Sequence, residues 1–245
     1  MMLDFPVSGL IKQIIPPFIR LTQEDEEFRK PWLIDLSGKA NDPDDGLVKK
    51  TGKGTDDHKF YLHYRPHTAL HLFKQKADTR RYEELLDGLS ELYWLSAGAG
   101  HSVFKQLDIE FPGFNFLRRH EAIHQDLRCA LRLLYYKPGE KILAKAHSDQ
   151  SFLTLHIDES HPGLYLHGDT QCFEVQKDRA LCFFGEKAEV VTGGKLPAMM
   201  HYAKATSEEW RWAIVCFIHI DAGVSDDVIR RRIARKKLSY VYPAD

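Results

Sequence analysis

The chain has 245 residues, which is enough for one well-buried domain and makes a division into two small domains less expected. Its 34 lysines and arginines almost balance 35 acidic residues, so the net charge of −1 provides no global basic field for attracting nucleic acid or an anionic membrane. The hydrophobic content of 43% is that of an ordinary globular protein. We therefore expect neither a nucleic-acid nor a membrane partner.

The start of the chain and its cysteines predict a cytoplasmic location. Residues Met1–Val7 lack the basic region, apolar core and cleavage site of a signal peptide, and no apolar run is as long as a membrane span. The four cysteines show no C-x-x-C spacing, and the last three lie in apolar runs typical of buried free thiols. They are Cys129, Cys172, Cys182 and Cys216.

The first 65 residues predict strands separated by a long loop. Apolar pieces broken by Pro6, Pro16 and Pro17 are followed by Pro31–Leu36, a candidate buried strand. Residues 37–58 are rich in Gly, Asp, Lys and Pro and are predicted to be a solvated loop, because Asp44 and Asp45 lack regular calcium-ligand spacing. His58–Arg65 alternates well enough for a strand, or for an aromatic-lined segment near a pocket.

Two helices are predicted next. Residues 78–104 carry apolar side chains at steps of three and four, which indicates a helix with one buried face. A similar pattern predicts a second helix over residues 113–132. His120 and His124 are four residues apart on it and could share a metal ion, but without a third ligand at useful spacing we expect them to be packing or surface residues.

From about residue 131 the pattern changes to that of an all-β protein. Short segments rich in β-branched or aromatic residues are each followed by Gly, Asp or Pro, which is typical of strands and turns. Such regularly spaced strands predict a closed or double-sheet architecture such as a jelly roll. The segments are 151–157, 163–167, 172–175, 180–184 and 210–218.

A candidate metal site begins with His147-Ser148-Asp149. Residues i and i+2 of a strand point to the same face, so His147 and Asp149 could reach one ion. His201 follows 52 residues after Asp149, which is enough chain for several strands and a return to the site. Two imidazoles and one carboxylate, with other positions left open, are the ligands of non-haem Fe(II) oxygenases. A surface turn and a packed core histidine are the alternatives.

Arg211 lies in the apolar segment 210–218, where a buried charge requires a partner. One interpretation is a structural salt bridge to a carboxylate of the chain. The other is a guanidinium that binds a ligand carboxylate through its planar fork.

These landmarks occur in an order that resembles the 2-oxoglutarate/Fe(II)-dependent dioxygenases, in the branch that is similar to isopenicillin N synthase. The resemblance covers residues from about 131 to 219. It is carried by Arg132–Pro138 as the tyrosine-containing strand, His147–Asp149 followed by Leu153–Leu155, Pro162–Leu166, Leu181–Glu186, Val191–Lys195 and Met200-His201.

The resemblance implies a single oxygenase domain over residues 1–245, mainly β with flanking helices. Residues 1–130 would form an N-terminal strand, loop and helical region, 131–220 a double-stranded β-helix (jelly-roll, cupin-like) core with the metal site, and 221–245 a C-terminal helix and tail. It further implies that His147, Asp149 and His201 bind Fe(II), and that Arg211 and Tyr136 bind 2-oxoglutarate. Dioxygen and a small organic substrate would be the other reactants, with hydroxylation as the expected outcome.

Two departures from the family pattern keep other functions open. Ala213 stands where the family has a serine two residues after its arginine, and Tyr202 follows the distal histidine where arginine is frequent. The alternatives are an Fe(II) oxidase of the same fold that works without 2-oxoglutarate, and a non-catalytic ligand-binding domain.

The last predicted element is a helix over residues 225–238, with Ser225 as its cap. Six basic residues lie between positions 230 and 237, a density that could indicate nucleic-acid binding. We favour a solvated face, with Val228, Ile229 and Ile233 docked on the core.

Overall fold

Two antiparallel sheets and the helices around them make up the described part of the chain in this computed structural model. The structure describes residues 1–33, 46–50, 59–68, 72, 77–139, 142–167, 169 and 171–239. The strands are β1 (Met2–Asp4), β2 (Gly46–Lys50), β3 (Lys59–Tyr64), β4 (Cys129–Tyr136), β5 (Ile142–His147), β6 (Leu153–Glu159), β7 (Leu164–Leu166), β8 (Arg179–Phe184), β9 (His201–Lys204) and β10 (Arg211–Ile218). The helices are α1 (Ser8–Gln23), α2 (Glu26–Arg29), α3 (Glu83–Glu110), α4 (Phe116–Glu121), α5 (Glu186–Val191) and α6 (Asp226–Ser239).

The seven-stranded sheet has the order β1-β8-β6-β10-β4-β3-β2, and the three-stranded sheet has the order β5-β9-β7. All of these pairings are antiparallel. This is the double-stranded β-helix architecture, and the predicted fold class is confirmed. No helix among the described residues is both long and apolar enough to cross a membrane.

Alternate side chains of β10 point to opposite faces of the sheet, so this strand contributes both to the core and to the candidate site. Ile214, Cys216 and Ile218 belong to the main apolar core, which also contains buried side chains of α1 and α3. The alternate residues Ala213 and Val215 belong to a second apolar cluster with residues of β4, β5 and β9. Arg211 has the same parity as this second set, so it points between the two sheets.

The N-terminal region differs from the sequence prediction. Helix α1 runs through Pro16 and Pro17, which do not break it. The strand predicted over residues 31–36 is wrong in its described part, because Lys30–Trp32 is a 3₁₀ turn and Leu33 forms only a single bridge. Residues 34–36 lie outside the described residues. Within the predicted loop 37–58, residues 46–50 form β2, which pairs with the correctly predicted strand β3, and the rest of that loop is not described.

The second predicted helix is also wrong over most of its length. Only Phe116–Glu121 is α-helical, and β4 begins at Cys129. The apolar residues of β4 pair with β3 and β10, and periodicity alone could not separate such a buried strand from a buried helix. The predicted strand 172–175 is reduced to one bridge from Phe173 to Leu164. Cys172 is half-buried, contrary to expectation, whereas Cys129, Cys182 and Cys216 are buried free thiols.

His120 is a packing residue, as expected for the histidine pair on this segment. Its ring lies against Phe104 with centroids 4.8 Å apart, and its Nδ1 lies 2.7 Å from the carbonyl oxygen of His219. His124 is exposed and its Nδ1 accepts from the backbone N–H of Asp126.

The basic residues of α6 form ion pairs within the chain. Arg232 and Lys236 both contact Glu186 and Glu189 on α5, with the shortest distances at 2.6 Å. Glu186 is fully buried, so these cations compensate a carboxylate that burial would otherwise penalise. Ile229 is buried as predicted, but Val228 is 41% exposed and does not dock. Part of the basic run is therefore explained by the attachment of α6 to the core.

We predict that Glu186→Gln lowers the free energy of unfolding by about 1–3 kcal/mol, because two partly exposed cations lose their buried partner. Urea denaturation followed by circular dichroism measures this change. Glu91→Gln, at an exposed position of α3, is the matched control and should be neutral. An unchanged stability of Glu186→Gln would show that these ion pairs do not hold α6.

Glu189 makes the attachment of α6 sensitive to acid. Burial alone would raise the pKa of its carboxyl group, but hydrogen bonds from Lys236 and from the backbone N–H of Ala198, together with the charges of Lys236 and Arg232, hold the pKa below its ordinary value. A lowered folded-state pKa stabilises the fold above the unfolded-state pKa, and this contribution is lost as the pH falls. We expect the melting temperature to depend less steeply on pH, below about pH 5, in Glu189→Gln than in the wild type. Parallel slopes would contradict this.

Candidate functional site

Three potential metal ligands converge where the small sheet meets the loop before β6. His147 ends β5, His201 begins β9, and the two residues are cross-strand partners. Asp149 lies in the loop after β5, so this turn, and not the alternation of one strand, brings its carboxylate beside the histidines. The nitrogen and oxygen atoms that these residues offer all lie within 4.8 Å of one another.

Backbone carbonyls orient both imidazole rings. Nδ1 of His147 lies 2.7 Å from the carbonyl oxygen of Lys145, and Nδ1 of His201 lies 3.2 Å from that of Met199. A carbonyl oxygen only accepts, so each Nδ1 carries the hydrogen and each Nε2 presents a lone pair. These Nε2 atoms lie 3.6 and 3.8 Å from the carboxylate oxygens of Asp149.

The surroundings favour the protonation states that a divalent cation requires. Burial lowers the pKa of His147 to about 3, and the neighbouring His201 contributes to this lowering. Burial alone would raise the pKa of Asp149, but the two imidazoles and the Thr154 hydroxyl, which donates to Oδ2 at 2.6 Å, bring it below its ordinary value. At neutral pH the cluster therefore contains a neutral imidazole at His147 and an ionised carboxylate at Asp149.

The loop that carries Asp149 is fixed by the start of α5, a support that the sequence did not reveal. The Ser148 hydroxyl donates to the buried Glu186 carboxylate at 2.6 Å, and the Glu186 backbone N–H donates to the Asp149 carbonyl at 2.8 Å. A Cβ atom at Gly185 would lie 2.7 Å from that carbonyl oxygen and 2.3 Å from that of Ser151. Only glycine fits there, because the two backbone segments approach so closely.

Arg211 lies on β10 opposite Tyr136 of β4, with its guanidinium carbon 5.5 Å from the centre of the tyrosine ring. Its Nε donates to the carbonyl oxygen of His161 at 3.0 Å, and its Nη2 pairs with the carboxylate of Glu159. Both side chains of this pair are almost fully buried. The salt-bridge interpretation of Arg211 is therefore correct, and its partner is a residue that sequence reasoning missed.

The pair with Glu159 does not remove Arg211 from the site, because Arg211 also lines a cavity between the two sheets. Ala213 lies on the same wall, where a serine hydroxyl would have faced the cavity. Gly163 allows the close packing of Arg211, since a Cβ atom there would lie 2.8 Å from its Nε. The metal-ligand cluster and the arginine thus share one space.

A second cavity of about 460 Å³ lies on the other side of the cluster, towards α6. His147 and Asp149 line both cavities, as do Arg132 and Phe217. The ligand cluster therefore borders both spaces: the first is lined by Arg211 and Tyr136, and the second by Arg65, Lys187 and His219.

Comparisons with known proteins agree with this arrangement. Residues 127–220 match the model of the 2OG-Fe(II) oxygenase superfamily. No curated protein sequence matches the chain.

Several solved structures share the fold at low sequence identity. A putative oxygenase from Shewanella oneidensis superposes with a TM-score of 0.71 at 16% identity, covering 98% of this chain and 91% of the other. The dioxygenase for auxin oxidation 1 from Arabidopsis thaliana, in its 2-oxoglutarate complex, gives a TM-score of 0.62 at 16% identity and covers 86% and 79%. JOX2 in complex with 2OG, Fe and JA gives 0.69 at 14% identity and covers 90% and 67%.

The matched region contains all three members of the ligand cluster together with Tyr136 and Arg211. The structures resemble the chain over most of its length and share its fold. Residues 127–220 of the chain are therefore similar to the 2OG-Fe(II) oxygenase superfamily.

Proposed function

We propose that this chain is an Fe(II)- and 2-oxoglutarate-dependent oxygenase that hydroxylates a small organic substrate. His147, Asp149 and His201 are the proposed iron ligands, and Arg211 and Tyr136 the proposed cosubstrate residues. The observation that carries the proposal is the convergence of three ligand atoms within 4.8 Å at the border of two cavities.

The donor set fits Fe(II). Two imidazole nitrogens and one carboxylate oxygen suit this ion, and ligand atoms that share one metal at about 2.0–2.2 Å lie roughly 3–4 Å apart. The Nε2–oxygen distances of 3.6 and 3.8 Å agree with that spacing. When bound, Fe(II) and 2-oxoglutarate would supply the reducing equivalents and the binding position through which dioxygen oxidises a substrate C–H bond.

Residues of the first cavity are suited to hold a dicarboxylate. The Arg211 guanidinium provides the charge for the carboxylate remote from the metal, and the Tyr136 hydroxyl provides a hydrogen-bond donor. Lys59 lies against the same tyrosine ring, with Nζ 5.1 Å from its centre, and adds a second cation to this cavity.

Apolar side chains of the same cavity limit access of water to the ligand cluster. Leu164 and Phe183 line the cavity from one side, and Val215 and Phe217 line it from β10. The ring of Phe183 lies 5.0 Å from that of His201. A dry environment strengthens the charge-assisted contacts of a bound anion and prevents side reactions.

The main apolar core supports the proposal of one domain, because it joins α1 and α3 to the large sheet without a break. The four cysteines are free, which supports the proposed cytoplasmic location.

An Fe(II) oxidase that works without 2-oxoglutarate is the second candidate. Two observations favour it: Ala213 provides no hydroxyl for a cosubstrate carboxylate, and Glu159 already occupies one edge of the Arg211 guanidinium. A third, non-catalytic ligand-binding domain has no structural observation in its favour among the described residues, since the ligand cluster is complete.

We predict that anaerobic addition of Fe(II) and then 2-oxoglutarate produces a weak visible charge-transfer band, because the keto acid chelates the metal. His201→Ala should lose the band and bind Fe(II) at least tenfold more weakly, since one of three ligands is removed. His124→Ala, at an exposed histidine remote from the cluster, is the control and should behave like the wild type.

The outcomes of this titration separate the candidates. Iron binding without a band, together with oxygen consumption that does not require 2-oxoglutarate, would favour the oxidase. A protein that binds neither iron nor 2-oxoglutarate would contradict both enzyme proposals, and a band that survives in His201→Ala would refute the ligand assignment.

We predict that substitutions of Arg211 and Glu159, the two members of the buried ion pair, have opposite effects on 2-oxoglutarate binding. Arg211→Met should weaken 2-oxoglutarate binding more than tenfold, because the cavity loses a charged hydrogen-bond donor. Glu159→Gln should strengthen it about fivefold, since removing a nearby like charge is worth about 1 kcal/mol after screening. Titration of the same visible band gives both dissociation constants.

The binding of 2-oxobutyrate, a keto acid without the distal carboxylate, provides the control for this pair. Neither substitution should change its affinity more than about twofold. Weaker 2-oxoglutarate binding by Glu159→Gln would instead show that Glu159 serves to orient Arg211.

A further inference from the structure

We propose that the C-terminal helix α6 holds the metal-ligand loop in its binding conformation, with Glu186 as the positioning residue between them. This inference rests on the proposed function, in that it takes His147, Asp149 and His201 as the metal ligands. It goes beyond that function, because it makes the affinity of the site for a metal ion depend on a helix that provides none of these ligands.

One carboxylate joins the loop to the helix. Oε1 of Glu186 accepts a hydrogen bond from the Ser148 hydroxyl at 2.6 Å, and Nζ of Lys236 lies 2.6 Å from the same oxygen atom. Oε2 accepts from Nε of Arg232 at 3.3 Å. Ser148 lies between two of the three ligands in the sequence. The metal-ligand loop and α6 thus share the side chain of Glu186.

Burial makes this carboxylate sensitive to the loss of a partner. The Glu186 side chain is fully buried, whereas those of Arg232 and Lys236 are 39% and 28% exposed. A buried carboxylate that loses one of its cations is drawn towards water, because its charge is no longer fully compensated. Ser148 is buried as well, so an outward movement of the carboxylate stretches its bond to the loop.

A second contact between α6 and the loop lies on the other side of Asp149. Gln150, the residue after this ligand, donates from its side-chain amide to the carboxylate of Asp226. Asp226 is the first residue of α6, and it also pairs with Lys187 of α5 at 3.2 Å. The residues before and after Asp149 are therefore both bonded to acidic side chains, one that α6 provides and one that it neutralises.

The consequence for metal binding follows from the cost of ordering a loop. A loop that moves freely must be ordered when its carboxylate binds an ion, and the free energy of that ordering is subtracted from the affinity. Strands β5 and β9 pair at the two histidines, so Asp149 is the ligand whose position depends on a loop. Contacts that fix this loop raise the affinity, and by linkage the bound ion stabilises the docked helix to the same extent.

The test is a titration of the full chain with Co(II), whose ligand-field absorption reports binding. We expect Lys236→Met to weaken binding about fivefold and Ser148→Ala about tenfold, because each removes one side of the shared contact. The double variant should bind at most about twofold more weakly than Ser148→Ala, since the cation acts through a bond that is already lost. Lys236→Arg keeps the charge and should bind within about twofold of the wild type.

Arg235→Met is the matched control, because Arg235 is an exposed cation of α6 next to Lys236 in the sequence. It should leave the Co(II) affinity unchanged. A partly unfolded variant lowers the absorbance reached at saturation, whereas a poorly positioned loop raises the Co(II) concentration at half-saturation. The titration therefore separates a loss of positioning from a loss of folded protein.

Hydrogen exchange gives a second measurement that needs no substitution of Lys236. Co(II) should slow the exchange of backbone amides in α6 of the wild type by about threefold or more, because the bound ion stabilises the docked helix. In Ser148→Ala saturated with Co(II), we expect less than about half of this slowing, since the bond between the loop and Glu186 is absent.

An unchanged Co(II) affinity in Lys236→Met would overturn the inference, as would an equal loss of affinity in Arg235→Met or an exchange in α6 that does not respond to Co(II). If the wild type binds Co(II) and His201→Ala does not, such a result leaves the ligand assignment in place. If the wild type binds no Co(II), the inference and the ligand assignment are both wrong. If the effects of Lys236→Met and Ser148→Ala are present but Fe(II) and 2-oxoglutarate give no visible band, the role of α6 stands and the 2-oxoglutarate-dependent function is wrong.

Discussion

The cross-strand pairing of His147 with His201 is the contact on which the candidate site depends. These residues are 54 positions apart in the sequence, and only the closure of the small sheet brings their rings to a centroid distance of 4.4 Å. The same closure points the lone pairs of both rings at Asp149, because each Nδ1 is held by a backbone carbonyl two residues earlier. A change that shifts β5 relative to β9 would therefore separate the ligands without altering any of them.

A second layer of the structure fixes the third ligand. Asp149 lies in a loop, and loops move more easily than paired strands. Here the loop is held by Glu186, which accepts from Ser148 through its side chain and donates to Asp149 through its backbone. Glu186 in turn contacts Arg232 and Lys236, so the C-terminal helix is linked to the metal-ligand loop through one buried carboxylate. The stability of α6 and the geometry of the site are thus coupled physically.

The two cavities differ in the charged residues that line them. The first is lined by Arg211, which is paired with the buried Glu159, and by Lys59. The second is lined by Arg65 and Arg132 together with several apolar side chains. Each cavity combines a cation held by aromatic or backbone contacts with apolar side chains that exclude water.

The sequence by itself determined the elements whose signal is local. The short alternating segments predicted the jelly-roll fold, and the family resemblance carried by the order of the motifs selected His147, Asp149, His201, Tyr136 and Arg211 as candidates. Prediction failed where the deciding contact is distant in the chain. The apolar pattern after residue 128 fits a helix and a strand equally well, and only the pairing with β3 and β10 shows that this segment is a strand. Helix α1 continues through two prolines because its apolar face packs on α3. The partners of Glu159 and Glu186, and the cations that line the second cavity, could be identified only from the tertiary structure. A charged side chain acquires a specific partner only when folding removes it from water.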